Sequence, residues 1–177
     1  GTTAADELGQ HPATFQNTNT LWRPVETIPG KTSHCLALDG LDDYAVVSGF
    51  KGVTGTQSRT CMAWIKTGGS GTEQGILSWG NPVAGAKWMF RIQSTGQIAV
   101  GVWGGYIQGS GIVNDDRWHH VAAVLSDDGS PSVNEIKLYV DGQLQTNTYA
   151  SSLQSINTDG SQDVHLAAIN NSGTVST

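Results

Sequence analysis

A chain of 177 residues has the length of one domain and can bury roughly 70% of its unfolded surface in a single core. Nine basic against fifteen acidic side chains leave a net charge of −6, and the basic ones are scattered singly, so no stripe exists to follow a phosphate backbone. Nucleic acid is therefore not an expected partner; nor is a membrane, since no apolar run nears the roughly 18 residues of a span.

No signal-peptide pattern opens the chain. The abrupt start "GTTAADELG" is expected of a piece cut from a longer protein. Good helix formers are thin and 23 glycines punctuate the sequence. What recurs is period-two alternation bounded by Gly, Asn, Asp or Ser. In chain order the candidate strands are "HCLALDG", "YAVVSGF", "RTCMAWIKT", "GILSWG", "KWMFRIQ", "QIAVGVW", "HHVAAVL", "NEIKLYV" and "DVHLAAI". In "KWMFRIQ", Trp88, Phe90 and Ile92 share one face, opposite Met89, Arg91 and Gln93. In "QIAVGVW", Ile98, Val100 and Val102 oppose Ala99, Gly101 and Trp103. About a dozen short strands at this spacing predict one all-β domain over residues 1–177, an antiparallel sandwich or barrel.

The stretch from Asp115 to Thr146 concentrates histidine and aspartate, the raw material of a metal or acid–base site. Asp141-Gly142, between apolar runs, suits a two-residue type I′ turn, where both central positions need positive φ. "SDDGSPS" clusters turn formers upstream. His119 and His120 are adjacent on a strand and must project to opposite faces, so a regular strand cannot bring both to one metal. The stretch reads as a hairpin.

"DDRWHHVAAVLSDDGSPSVNEIKLYVDGQ" resembles the W-H-H-V-A…L-Y-V-D-G signature of bacterial laminin-G-like domains, members of the concanavalin A-like lectin/glucanase superfamily. "LDGLDDYAVV" (38–47), "RTCMAWIKT" (59–67) and "ILSWG" (76–80) are similar to further strands of that family, in family order, and "ELGQHPATFQN" more loosely to its first strand. The resemblance implies two curved antiparallel sheets packed as a jelly roll. It also raises an expectation about the end of the chain: the family's usual closing strand has no counterpart in "AAINNSGTVST", so an open sheet edge would accept a strand from elsewhere in the parent polypeptide.

The same superfamily includes glucanases that present paired carboxylates on one strand. Retaining hydrolysis needs two carboxyl groups about 5–5.5 Å apart, yet Glu7, Glu26, Glu73 and Glu135 all lie more than five residues from one another. No G-x-S-x-G elbow exists either, and the expectation is a domain without catalysis. The resemblance further implies one structural Ca²⁺ near a sheet rim. Asp39, Asp42 and Asp43 are the densest group of the hard oxygen ligands that ion requires, with Asp6 within possible reach; the alternative is an Asx turn that needs no ion.

A sugar is held by aromatic rings stacked on its apolar faces and by planar polar side chains on its hydroxyls. Trp64, Trp88 and Trp118 lie within strand patterns and are assigned to the core. Trp79, Trp103 and Tyr106 border glycine-rich loops and are candidates for either ligand binding or packing; Gln93, Gln97, Gln108 and Asn114 are the nearby polar candidates. Cys35 and Cys61 sit in strand-like runs and are read as free thiols. Together these observations describe a non-catalytic binding module of a secreted or cell-surface protein, holding a glycan or a cell-surface protein. The alternatives are an assembly domain that accepts a strand at its open edge and, less favoured, a glycan-cleaving jelly roll.

Overall fold

A computed structural model describes residues 3–16, 21–24, 34–147, 149–151, 153–171 and 174–177. In chain order the strands are β1 (Thr3–Ala4), β2 (Ala13–Gln16), β3 (Leu21–Pro24), β4 (His34–Ala37), β5 (Tyr44–Val47), β6 (Arg59–Lys66) and β7 (Gln74–Gly80). They continue as β8 (Lys87–Ile92), β9 (Gln97–Gly101), β10 (Tyr106–Ile112), β11 (Trp118–Leu125), β12 (Lys137–Val140) and β13 (Gln143–Leu144). The last four are β14 (Tyr149–Ser151), β15 (Val164–Leu166), β16 (Ile169–Asn171) and β17 (Thr174–Ser176). Among the described residues no helix is long and apolar enough to cross a membrane.

Nine strands form one sheet in the order β1-β2-β5-β15-β7-β8-β9-β10-β14, and four form another, β13-β12-β11-β6; β3–β4 and β16–β17 are separate hairpins. The non-sequential neighbours β2-β5-β15-β7 are the crossovers of a jelly-roll sandwich. The core lies between the two sheets. Trp88, Phe90 and Ile92 of β8, Ile98 and Val100 of β9 and Ile107 of β10 meet Cys61 of β6, Val121, Ala123 and Leu125 of β11, and Leu138 and Val140 of β12. Each large side chain removed from water there contributes roughly 1.5–3 kcal/mol.

The expected hairpin is present. Asp141 and Gly142 join β12 to β13 with φ of +50° and +78°, the signs that a type I′ turn requires. Cys35 and Cys61 are free thiols, and burial pushes that of Cys61 up to about 11.

Two aromatic assignments change. Trp64 is 40% exposed on the outer face of the smaller sheet, opposite His120, and tilts against its ring at 5.4 Å. Trp118, opposite Lys66, has the same outward parity and is only partly buried. The reason is that "RTCMAWIK" and "WHHVAAVL" carry apolar residues at both parities. Pairing of Ala63 with Val121 and of Cys61 with Ala123 selects the small residues for the interior, and a strand's period of two then sends the tryptophans outward. Phe90→Ala should accordingly cost about 3–5 kcal/mol in urea unfolding, while Trp64→Ala should cost less than half as much; equal losses would mean that the parity of β6 is reversed.

Candidate functional site

The β9–β10 connection is a two-residue hairpin turn. The Val102 amide donates to the Gly105 carbonyl at 2.9 Å, and the central residues Trp103 and Gly104 have φ of +52° and +91°. Glycine adopts this conformation freely; an L-residue with a bulky side chain does so at roughly 1–2 kcal/mol. The Gly85 amide pins the turn by donating to the Trp103 carbonyl at 2.9 Å. The indole is thereby held at a rim, 39% exposed.

Beside it, Met89, Gly101 and Tyr106 stand in register across β8, β9 and β10 on the face turned away from the core. Gly101 keeps the floor low, since a Cβ there would lie 3.0 Å from Met89 Cε and 3.1 Å from Arg91 Nη1. The Arg91 guanidinium lies 5.3 Å from the centre of the Tyr106 ring, a cation–π distance. Its Nε is 3.5 Å from a carboxylate oxygen of Glu73.

The opposite wall is the β16–β17 hairpin, which folds over the outer face of the nine-stranded sheet. The Ser78 hydroxyl donates to the Ala168 carbonyl at 2.9 Å and the Lys87 ammonium to the Asn170 carbonyl. Burial pulls the Lys87 pKa down to about 8. Gly75 permits the close approach, because a Cβ there would come 2.7 Å from the Ala168 carbonyl carbon. Between hairpin and turn lies a groove of about 480 Å³, walled by Trp103, Tyr106 and Asn171, with Glu73, Met89 and Arg91 along its base and edge.

The structure thus brings Trp103 and Tyr106 together but removes Trp79 from the site. Trp79 is 3% exposed, stacks on Trp88 at 5.7 Å and donates its indole N–H to the Val53 carbonyl at 3.0 Å, so its place is the core. The Gly-Asn that follows it marks the end of a buried strand rather than a rim. Gln93, Gln97, Gln108 and Asn114 do not line the groove. Arg91, Glu73 and Asn171 do, and the sequence reading had not chosen them. Arg91 was visible in the alternation of "KWMFRIQ", which sets it opposite the core side chains; Glu73 and Asn171 arrive only through tertiary packing.

Asp39, Asp42 and Asp43 converge elsewhere, their nearest carboxylate oxygens within 4.8 Å of one another. Asp39 forms an Asx turn with the Leu41 amide at 2.9 Å. Asp43 is 2% exposed; one of its oxygens accepts the Asp39 amide at 3.0 Å, and the other is buried without a partner. Three like charges and an orphaned buried oxygen are relieved by a hard cation, so this donor set fits a metal ion. Asp6 is not in the group: it accepts the amides of Leu8, Gln10 and His11 at 3.2, 2.9 and 3.0 Å and closes its own loop. Glu26 lies outside the described residues.

A laminin-G-type family model, described as the concanavalin A-like lectin/glucanases superfamily, matches residues 39–176. The chain belongs to that superfamily. Curated protein sequences give no match to the chain. Among solved structures, this laminin-G-like domain is similar to the CBM40 module of the Ruminococcus gnavus IT-sialidase, with a TM-score of 0.53 and 19% identity over 69% of this chain and 70% of that one. The same module bound to α2,3-sialyllactose superposes with a TM-score of 0.52 and 19% identity over 68% of each chain. Domains LG4-5 of the mouse laminin α1 chain give 0.48 and 13% identity, over 90% of this chain and 42% of that one. At 19% identity the likeness to the CBM40 module is one of fold.

The domain's paired histidines are structural. His120 packs on Trp64, whereas His119 places Nδ1 2.8 Å from Asp141 and Nε2 3.0 Å from Asp115. Carboxylates only accept, so both ring nitrogens must donate and the ring is an imidazolium. Burial lowers its pKa, but the hydrogen bonds and charges of Asp141 and Asp115 outweigh that and hold it above the ordinary 6.5. Because the folded-state value is raised, this contribution to stability is complete below about pH 6.5 and is lost as pH rises through the folded value. The melting-temperature gap between the wild type and His119→Gln should be widest on the acid side and narrow above neutrality; a gap that widens with pH would mean a neutral ring.

Proposed function

We propose that this domain is a non-catalytic carbohydrate-binding module of a secreted or cell-surface bacterial protein, and that its glycan lies in the groove between Trp103 and the β16–β17 hairpin. The observation that carries the reading is Trp103 itself. A tryptophan occupies a left-handed turn position that Asn, Asp or Gly would fill more cheaply, and it stands exposed beside Tyr106 above a floor kept low by Gly101. Two aromatic rings at a rim, with a guanidinium and a carboxylate at the base and edge of the groove, are the means by which proteins hold sugars. The likeness in fold to a sialidase's carbohydrate-binding module supports the reading.

The groove holds one arginine and one glutamate rather than a pair of carboxylates, so it offers adhesion and not hydrolysis. The aspartates at 39, 42 and 43 would hold one structural Ca²⁺, which would neutralise their mutual repulsion.

In a melt against a panel of soluble glycans, one class should raise the melting temperature by mass action. Trp103→Ala and Tyr106→Ala should each weaken that glycan's binding roughly tenfold or more, the loss of one stacked ring, at near-native melting temperature. A fully retained affinity in both variants would move the site elsewhere. Calcium should raise the melting temperature of the wild type and leave that of Asp43→Asn unchanged. A flat calcium titration of the wild type would remove the ion from the account.

A further inference from the structure

Two arginines of this domain are almost fully buried, and they are treated in opposite ways. Arg59, 4% exposed, is satisfied within the protein: it donates to the carbonyls of Gln57, Val53 and Gly55 and to the Thr158 hydroxyl, at 3.0, 2.8, 2.8 and 2.8 Å. Arg91, 8% exposed, makes no hydrogen bond to an oxygen among the described residues. Its Nε forms an ion pair with Glu73 at 3.5 Å but no hydrogen bond, and its Nη1 meets only the Met89 sulfur at 4.0 Å. A guanidinium has five N–H donors, and a buried one without a hydrogen bond is costly. Asn171, in the wall of the same groove, likewise has a buried side-chain oxygen with no partner.

The remaining Arg91 donors beside the Glu73 carboxylate at one groove select the chemistry of the occupant. A carboxylate accepts only, and in this groove it would face Glu73, which is 47% exposed at the groove edge. A hydroxyl both donates and accepts, so adjacent sugar hydroxyls can take hydrogen bonds from Arg91 and give them to Glu73. The groove's one cation is matched by its one anion, and the chain as a whole carries −6, so nothing draws an anion in.

Resting on the glycan reading above, we infer that the groove takes an uncharged sugar, read through adjacent hydroxyls by Arg91 and Glu73 acting together. In this respect it differs from the sialidase module, which binds an acidic glycan in a similar fold. Glu73 is the discriminating residue: it accepts from a neutral sugar and repels an acidic one.

The test is an immobilised panel of neutral galactosides, glucosides and mannosides beside sialylated, uronic and sulfated glycans. It is probed with the wild type, Trp103→Ala, Glu73→Gln and Arg91→Lys, each checked by melting temperature. The expected result is binding confined to neutral glycans, lost in Trp103→Ala and insensitive to added salt. Glu73→Gln and Arg91→Lys should each weaken it by roughly tenfold or more, the loss of a hydrogen bond to a charged group. Binding of acidic glycans that requires Trp103, fades with salt and strengthens in Glu73→Gln would overturn this inference and leave the glycan reading standing. Neutral binding that requires Trp103 but ignores Glu73 and Arg91 would also overturn it. No binding to any glycan would overturn both.

Discussion

The molecule depends on one constraint, the strict two-residue period of β8 at the middle of the nine-stranded sheet. Trp88, Phe90 and Ile92 point into the sandwich, where they meet the inner residues of β6, β11 and β12 and supply much of the apolar burial. The same backbone must then turn Met89 and Arg91 to the other face. In a sheet solvated on that face, an arginine there would be an ordinary surface residue. Here the β16–β17 hairpin and the Trp103 turn cover the face, and Arg91 becomes a buried charge at the base of a groove.

That covering is held by small, specific contacts rather than by a second hydrophobic core. Gly75 admits the backbone of Ala168, Ser78 donates to its carbonyl, and Lys87 donates to the carbonyl of Asn170. Burying a lysine is expensive, and burial holds the Lys87 pKa down against the opposing charge of Asp159. The fold bears that cost beneath the same hairpin in which Asn171 keeps a buried side-chain oxygen without a hydrogen bond. Buried polar groups left without hydrogen bonds call for an explanation, and a binding site supplies one.

The acidic cluster shows a different economy. Asp39 and Asp43 serve the backbone as Asx-type caps, and this alone accounts for aspartate in the segment. What capping leaves unexplained is the second oxygen of Asp43, buried and bare. The His119 cluster has no such remainder: its ring nitrogens and both carboxylates are matched, so the part of the sequence richest in histidine and aspartate is a hairpin clasp.

The sequence by itself determined the class of fold, the main strands, the Asp141-Gly142 turn and the opposed faces of His119 and His120, because these follow from period-two patterning and from turn chemistry that acts between neighbours. It also determined that Asp39, Asp42 and Asp43 lie together and that Trp103 borders a glycine turn. It did not determine the parity of β6 and β11, where both faces carry apolar residues and only cross-strand pairing sent Trp64 and Trp118 outward. Nor did it show that Trp79 stacks on Trp88, or that Glu73, Arg91 and Asn171, from three strand regions spanning nearly a hundred positions, meet at one groove. Such contacts depend on which strands become neighbours and on the late hairpin folding back over the sheet. Local pattern carries no record of that arrangement; tertiary packing decides it.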